Sequence, residues 1–142
     1  MKYKFGPRSQ KHLDACHPLL QKVLTRTLNF GVMDFSVIEG HRTIERQQEL
    51  YAEGKSQIDG VTKRGKHNAL PSRAVDIIPY PPTVNGVNVW KDSGRFHVLA
   101  GLVYAAAALE GVNIRWGGDW DGDGNNADSS FHDLPHFELL DS

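Results

Sequence analysis

The segment Asp133-Leu134-Pro135-His136-Phe137-Glu138-Leu139 restricts this chain more than any other stretch. Pro135 disfavours helix at Leu134, so the segment runs extended. From His136 onward the side chains alternate: His136 and Glu138 face one way, Phe137 and Leu139 the other. A strand that buries Phe137 and Leu139 therefore presents His136 in a cleft, with Asp133 just before it at the loop-to-strand junction. That is the arrangement of a metal ligand beside a general base, and the rest of the chain has to supply the other ligands.

Composition limits where those ligands can come from. The single Cys16 excludes an intramolecular disulfide framework and a four-Cys zinc site. Seven His and 17 acidic residues leave a His-and-carboxylate site open. With 142 residues, 39% of them apolar and 23% charged, the chain is expected to form one globular domain, residues 1–142, with a real core. A net charge of -1 gives no sign of a nucleic-acid binder. No apolar run approaches the roughly 18 residues of a membrane span, and the start of the chain lacks the apolar stretch of a signal peptide.

Along the chain, Ser9 is positioned to cap a first helix with Leu13, Cys16, Leu20, Val23, Leu24 and Leu28 at helical spacing. Pro18 either kinks that helix or marks its true start. Cys16 reads as a small buried apolar residue. Residues 34–39 read as a strand ending at Gly40, and Thr43 caps a helix from Ile44 to Glu53 that Gly54 stops. Arg42 thus lies at a strand-to-helix turn, where an Arg is either a solvated charge or a substrate contact. Residues 54–73 form a basic loop. In the strand from Ser72 to Tyr80, Val75 and Ile77 share one face, while Ala74, Asp76 and Ile78 share the other. Asp76 is costly to bury there unless a metal, a cation or hydrogen bonds hold it. Asn85-Gly86 makes a two-residue hairpin turn. Asp92 or Ser93 caps a long helix through Glu110, with Phe96, Leu99, Val103 and Ala107 on its core face and Gly111 as its stop. His97 reads as structural, and residues 112–116 as a strand. The order predicts an α+β domain: a small antiparallel or mixed sheet packed with helices, with the zinc site in a cleft on the sheet.

The residues left for chemistry are His67, Asp76, Asp133 and His136, with Arg42 beside them. Two imidazoles and one carboxylate make a three-ligand zinc set with a fourth position open for water. Zinc lowers the pKa of such a water to about 7. Asp133 can take a proton and pass it to a leaving amine, and Arg42 can bind a carboxylate or a polarised carbonyl oxygen. A second signal follows Trp116: Asp119, Asp121 and Asp123 with Gly124 match the first half of a calcium loop. Its twelfth position is Ser130 instead of Glu, and Asp128 is the substitute ligand. Ca2+ is therefore carried as a second candidate ion, against a plain acidic turn.

The chain resembles the zinc L-alanyl-D-glutamate peptidases of bacteriophage lysis systems, relatives of the D-alanyl-D-alanine carboxypeptidases. The resemblance lies in Glu39-Gly40-His41-Arg42-Thr43, Gln48, Leu50-Tyr51-Ala52-Glu53-Gly54-Lys55, Lys66-His67, Arg73-Ala74-Val75-Asp76, Trp116-Gly117-Gly118-Asp119-Trp120 and Asp133–Leu139, in family order. It implies zinc held by His67, Asp76 and His136, Asp133 as catalytic base, and Arg42 on the substrate or transition state. His67 and Asp76 are nine residues apart where the family pattern has seven. Ser72 and Arg73, in that lengthened stretch, are expected as further substrate contacts. The implied activity is that of an endolysin, a zinc endopeptidase cutting the L-Ala–D-Glu bond of peptidoglycan for host lysis. It implies a monomer held in the host cytoplasm without a signal peptide and released to the wall through a phage membrane-pore protein, itself entering no membrane. A D,D- or L,D-carboxypeptidase on the same site and a non-catalytic, metal-stabilised wall-binding module are the alternatives.

Overall fold

The computed structural model describes residues 2–55, 66–119 and 133–140. Four helices run α1 Pro7–Asp14, α2 Pro18–Asn29, α3 Ile44–Ala52 and α4 Ser93–Glu110 among these residues. The strands are β1 Phe35–Glu39, β2 Ala74–Pro79, β3 Thr83–Val84, β4 Val87–Asn88, β5 Ile114–Trp116 and β6 His136–Leu139. β1-β2-β6-β5 form an antiparallel sheet, and β3-β4 a separate hairpin. The α+β expectation is met, and the sheet is antiparallel throughout.

The strand alternation sorts side chains as their periodicity requires. Val75 and Ile77 of β2, Phe137 and Leu139 of β6, and Trp116 of β5 join one buried cluster with Leu20, Val23 and Leu24 of α2 and Phe96, Leu99 and Val103 of α4. Trp116 and Phe137, partners across β5-β6, stack with ring centroids 6.3 Å apart. The opposite face of the sheet carries the polar residues. There Asp76 sits directly across from His136, Ala74 from Glu138 and Arg115 from Glu138. A register shift between Val37 and Glu39 brings Glu39 opposite Asp76, so three strands contribute to one polar row.

At the N-terminus one open alternative is resolved and one expectation is corrected. The first helical pattern is two helices, and Pro18 is the true start of the second, with the His17 ring accepting from the Leu19 N–H as its cap. Ser9 caps nothing: Gly6 precedes α1, and Ser9 lies inside it. Its buried hydroxyl accepts from the Val37 N–H at 3.0 Å instead, which fastens α1 along β1 and satisfies a donor on that edge strand. Elsewhere the local signals hold. Thr43 accepts from the Arg46 N–H, Asn85 and Gly86 take positive φ in the hairpin turn, and Gly111 ends α4 at φ +68°. Asp92 occupies the cap position of α4 without a side-chain cap bond. Among the described residues no helix is long and apolar enough to cross a membrane.

The break between α1 and α2 has a structural use. Ala15 O accepts from Ser72 N at 2.9 Å and Ser72 O accepts from His17 N at 2.8 Å, so the lead-in to β2 pairs with the interhelical link. Cys16, between these bonds, is 1% exposed. Burial, reinforced by the negative charge of Asp76, pushes its thiol up to about 12. The folded protein should accordingly resist iodoacetamide at pH 8 and react stoichiometrically once unfolded in denaturant. Rapid labelling of the native protein, read by intact mass, would contradict this packing.

Candidate metal centre

Three side chains from distant parts of the chain converge on the polar face of the sheet. His67 comes from a short 3-10 turn, Lys66–Asn68. Asp76 and His136 come from adjacent strands. His67 Nε2 is 3.2 Å from Asp76 Oδ1 and 3.2 Å from His136 Nδ1, and the latter two atoms are 3.3 Å apart. All three residues are buried. Two extra residues between His67 and Asp76, relative to the family pattern, do not keep their side chains apart.

The outer ring atoms decide what those three inner atoms are. His67 Nδ1 lies 2.7 Å from Gly40 O, an acceptor, and His136 Nε2 lies 2.8 Å from Glu138 Oε1, also an acceptor. Each ring therefore donates outward, and its inner nitrogen is left with a lone pair in the neutral form. Two lone pairs and a carboxylate oxygen meeting at such distances repel one another unless a cation sits among them. The separations suit a tetrahedral zinc, for which bonds of about 2.0–2.1 Å place ligand atoms about 3.3–3.4 Å apart. His67, Asp76 and His136 can thus hold a metal ion.

The electrostatics of the cluster point the same way. Burial works to lower His136, but hydrogen bonds to Asp76 and Glu138 and the nearby carboxylate charges outweigh it, lifting the imidazole to about 9. Burial works to raise Asp76, yet the charge on His67 and bonds from His136 and His67 hold it well below the usual carboxylate range. Without a metal, a proton on His136 serves as the cation that this cluster requires.

Around the cluster lies a supporting shell that the sequence reading did not single out. Glu138 is buried, accepts from His136 with one oxygen, and meets Arg115 Nη2 at 2.8 Å and Lys66 Nζ at 3.3 Å with the other. Lys66 also donates to Leu139 O. Burial would raise the Glu138 carboxyl, but His136 and Arg115 hold it down to about 2. The alternation that placed Glu138 on the face of His136 was the available signal for this role. The Gly40 carbonyl gave none, being backbone. Its position depends on a missing side chain: a Cβ at Gly40 would strike His12 O and come within 3.0 Å of Cys16 Sγ.

Arg42 is drawn to the same place. Its Nε and Nη2 donate to the two oxygens of Glu39 at 2.8 and 3.1 Å, and its Nη1 donates to Gln47 Oε1 at 2.9 Å. Nη2 is also 3.5 Å from Asp76 Oδ2, the oxygen turned away from the cluster. Asp133 stands at the open side, Oδ2 4.0 Å from His136 Nδ1. Gly117 lies so close to it that a Cβ would strike the Asp133 carbonyl, and Gly117 O accepts from the Asp133 N–H at 2.9 Å. Burial, then the charge of Asp76, raise the Asp133 carboxyl, against the pull of His136, His67 and Arg42. A groove of about 460 Å³ opens over Asp76, Asp133 and Arg42, walled by Leu50, Trp90 and Pro135.

The remaining expected positions fall elsewhere. Ser72 is fully buried, and its hydroxyl donates to Ala74 O at 2.6 Å, which commits it to the β2 backbone and away from a substrate. Arg73 lines a separate concavity with Leu19, Val112 and Leu140. Asp119, the first residue of the suspected calcium loop, is buried with its N–H donating to Trp116 O at 3.0 Å. Asp121, Asp123 and Asp128 lie outside the described residues.

A buried two-His, one-carboxylate cluster lies beside a second carboxylate and a guanidinium, and Asp76, Asp133 and Arg42 line one groove, an arrangement suited to hydrolysis. The family described as phage L-alanyl-D-glutamate peptidase matches residues 1–140 of the chain. The L-alanyl-D-glutamate peptidase of Escherichia phage T5 is 32% identical over 143 residues, covering 99% of this chain and 100% of that protein. The crystal structure of the Serratia marcescens L-Ala D-Glu endopeptidase ChiX matches with a TM-score of 0.74 at 32% identity, covering 98% of this chain and 91% of that one. The chain belongs to the phage L-alanyl-D-glutamate peptidase family and is a peptidase.

If Glu138 orients His136, Glu138→Ala should weaken metal affinity by roughly 10–100-fold in a chelator competition. Glu138→Gln, which keeps an acceptor for the ring N–H, should lose less. Equal affinity in all three proteins would remove Glu138 from the metal's support.

Proposed function

We propose that this protein is a zinc-dependent endopeptidase of bacterial peptidoglycan, cutting the stem peptide between L-Ala and D-Glu, with residues 1–142 acting as one catalytic domain. The convergence of His67 Nε2, Asp76 Oδ1 and His136 Nδ1 at tetrahedral ligand spacing carries this reading. The names of the phage T5 and Serratia relatives supply the bond. His67, Asp76 and His136 would hold the ion. A zinc ion there supplies Lewis acidity, lowering the pKa of water and polarising a carbonyl oxygen.

The remaining roles belong to the chain. Asp133, at the open side of the cluster, accepts the proton of the attacking water and returns it to the leaving amine of D-Glu. Its raised pKa suits a group that must gain and lose a proton in one turnover. Arg42, fixed by Glu39 and Gln47, faces Asp76 and the groove, where a guanidinium N–H supports the oxygen of the scissile carbonyl as charge develops. A carboxypeptidase on this site would use Arg42 to hold a terminal carboxylate. Its donors to Glu39 and Gln47 leave single N–H groups enough for one carbonyl oxygen but no free fork for a bidentate terminal carboxylate, which favours the endopeptidase. In its biological setting the enzyme is an endolysin, kept in the host cytoplasm and admitted to the wall through a phage pore protein.

Digestion of purified peptidoglycan should expose new N-terminal D-Glu and leave L-Ala as the end of the muramyl peptide, both abolished by a zinc chelator. Release of terminal D-Ala alone, seen by mass spectrometry, would replace the endopeptidase with a carboxypeptidase. Asp133→Ala should lower kcat by roughly 10²–10⁴-fold while bound metal, measured by elemental analysis, stays at the wild-type level. Undiminished turnover in that variant would show that another group moves the proton.

A further inference from the structure

Among the described residues, two basic side chains line the groove over the metal cluster: Arg42 and Lys55. Arg42 is committed. Its donors go to Glu39 and Gln47, its charge also faces Asp76, and its side chain is 11% exposed. Lys55 differs in each respect. Gly54, at φ +75°, turns the chain after α3, and the Lys55 N–H donates to Leu50 O at 2.8 Å, which fixes the backbone at the groove wall. Its side chain is 68% exposed and pairs only with Glu53, 3.1 Å away and itself 48% exposed, among the described residues. A solvated pair of this kind contributes little and exchanges readily for another carboxylate.

The substrate of the proposed reaction offers that carboxylate. In the stem peptide the chain continues through the γ-carboxyl of D-Glu, so the α-carboxylate is free on the carbon that carries the scissile nitrogen. It enters a groove where Glu39 is paired with Arg42 and Asp76 belongs to the metal cluster, but where the Asp133 carboxylate also stands, so a solvated cation on the wall is the partner on offer. We propose that Lys55 binds the α-carboxylate of the D-glutamyl residue and thereby separates acidic stem peptides from those in which this group is amidated. The inference rests on the endopeptidase reading. A flexible ammonium with three donors suits a carboxylate whose orientation changes as the adjacent bond breaks.

The test compares N-acetylmuramyl-L-Ala-D-Glu-meso-diaminopimelate with its D-isoglutamine counterpart on the full-length, zinc-loaded protein. The wild type should favour the acidic peptide by about tenfold in kcat/KM, equivalent to about 1.4 kcal/mol, and chiefly through KM. Lys55→Met should bring the ratio to about one, and Lys55→Arg should restore most of it. Calorimetry on Asp133→Ala should show the same preference in binding without turnover. A wild-type ratio near one or below, or a ratio preserved in Lys55→Met, would overturn the role of Lys55 and leave the endopeptidase standing. Cleavage of neither peptide would remove the endopeptidase reading and this inference with it.

Discussion

The pairing of β2 with β6 places Asp76 directly across from His136, and much of the polar face depends on that register. A slip of one residue in an antiparallel pair exchanges the two faces of a strand. Here a slip of β6 against β2 would put Phe137 on the polar side and bury His136 among the helices, parting it from Asp76. The hydrophobic residues thus fix the chemistry indirectly. Val75, Ile77, Phe137 and Leu139 are packed against α2 and α4, and their burial leaves Asp76 and His136 only one direction to face.

Burial of so many ionisable groups is tolerable because each is held on more than one side. Asp76 meets both imidazoles with one oxygen and Arg42 with the other. Glu138 is shared by His136, Arg115 and Lys66. Removing one partner from such a network leaves another charge unmatched at low dielectric, so its members are strongly interdependent. The same network fixes the tautomers: His67 is turned by a backbone carbonyl and His136 by a carboxylate, and in both cases the bare nitrogen points inward.

Period-two alternation made β2, β6 and the direction of Asp76 and His136 legible in the sequence, because a strand has only two faces. Thr43, Asn85-Gly86 and Gly111 were legible because each position demands a particular cap or a positive φ. The split of α1 from α2 was left open by Pro18, since a proline permits either a kink or a start. Ser9 was misread because its hydroxyl serves a backbone N–H of β1, 28 residues away, and no local pattern reports a partner at that distance. Ser72 was misread for a similar reason. Its place in the lengthened stretch suggested a substrate contact, whereas the pairing of Ser72 with Ala15 and His17 buries it. Glu138 was visible as a neighbour of His136 on the same face, but its purpose needed Arg115 and Lys66, from two other segments, to be placed beside it.

The charge balance of the site joins its stability to its chemistry. Four carboxylates, Glu39, Asp76, Asp133 and Glu138, surround the cluster, against the three cations Arg42, Arg115 and Lys66. With both imidazoles neutral the set is one charge short of balance, and a proton on His136 corrects it, consistent with the rise of that ring to about 9. A divalent cation in its place would take the set past balance by one positive charge. The arrangement thus tolerates the metal-free state with one proton, and exchanging that proton for a divalent cation would change the balance of the set by a single charge.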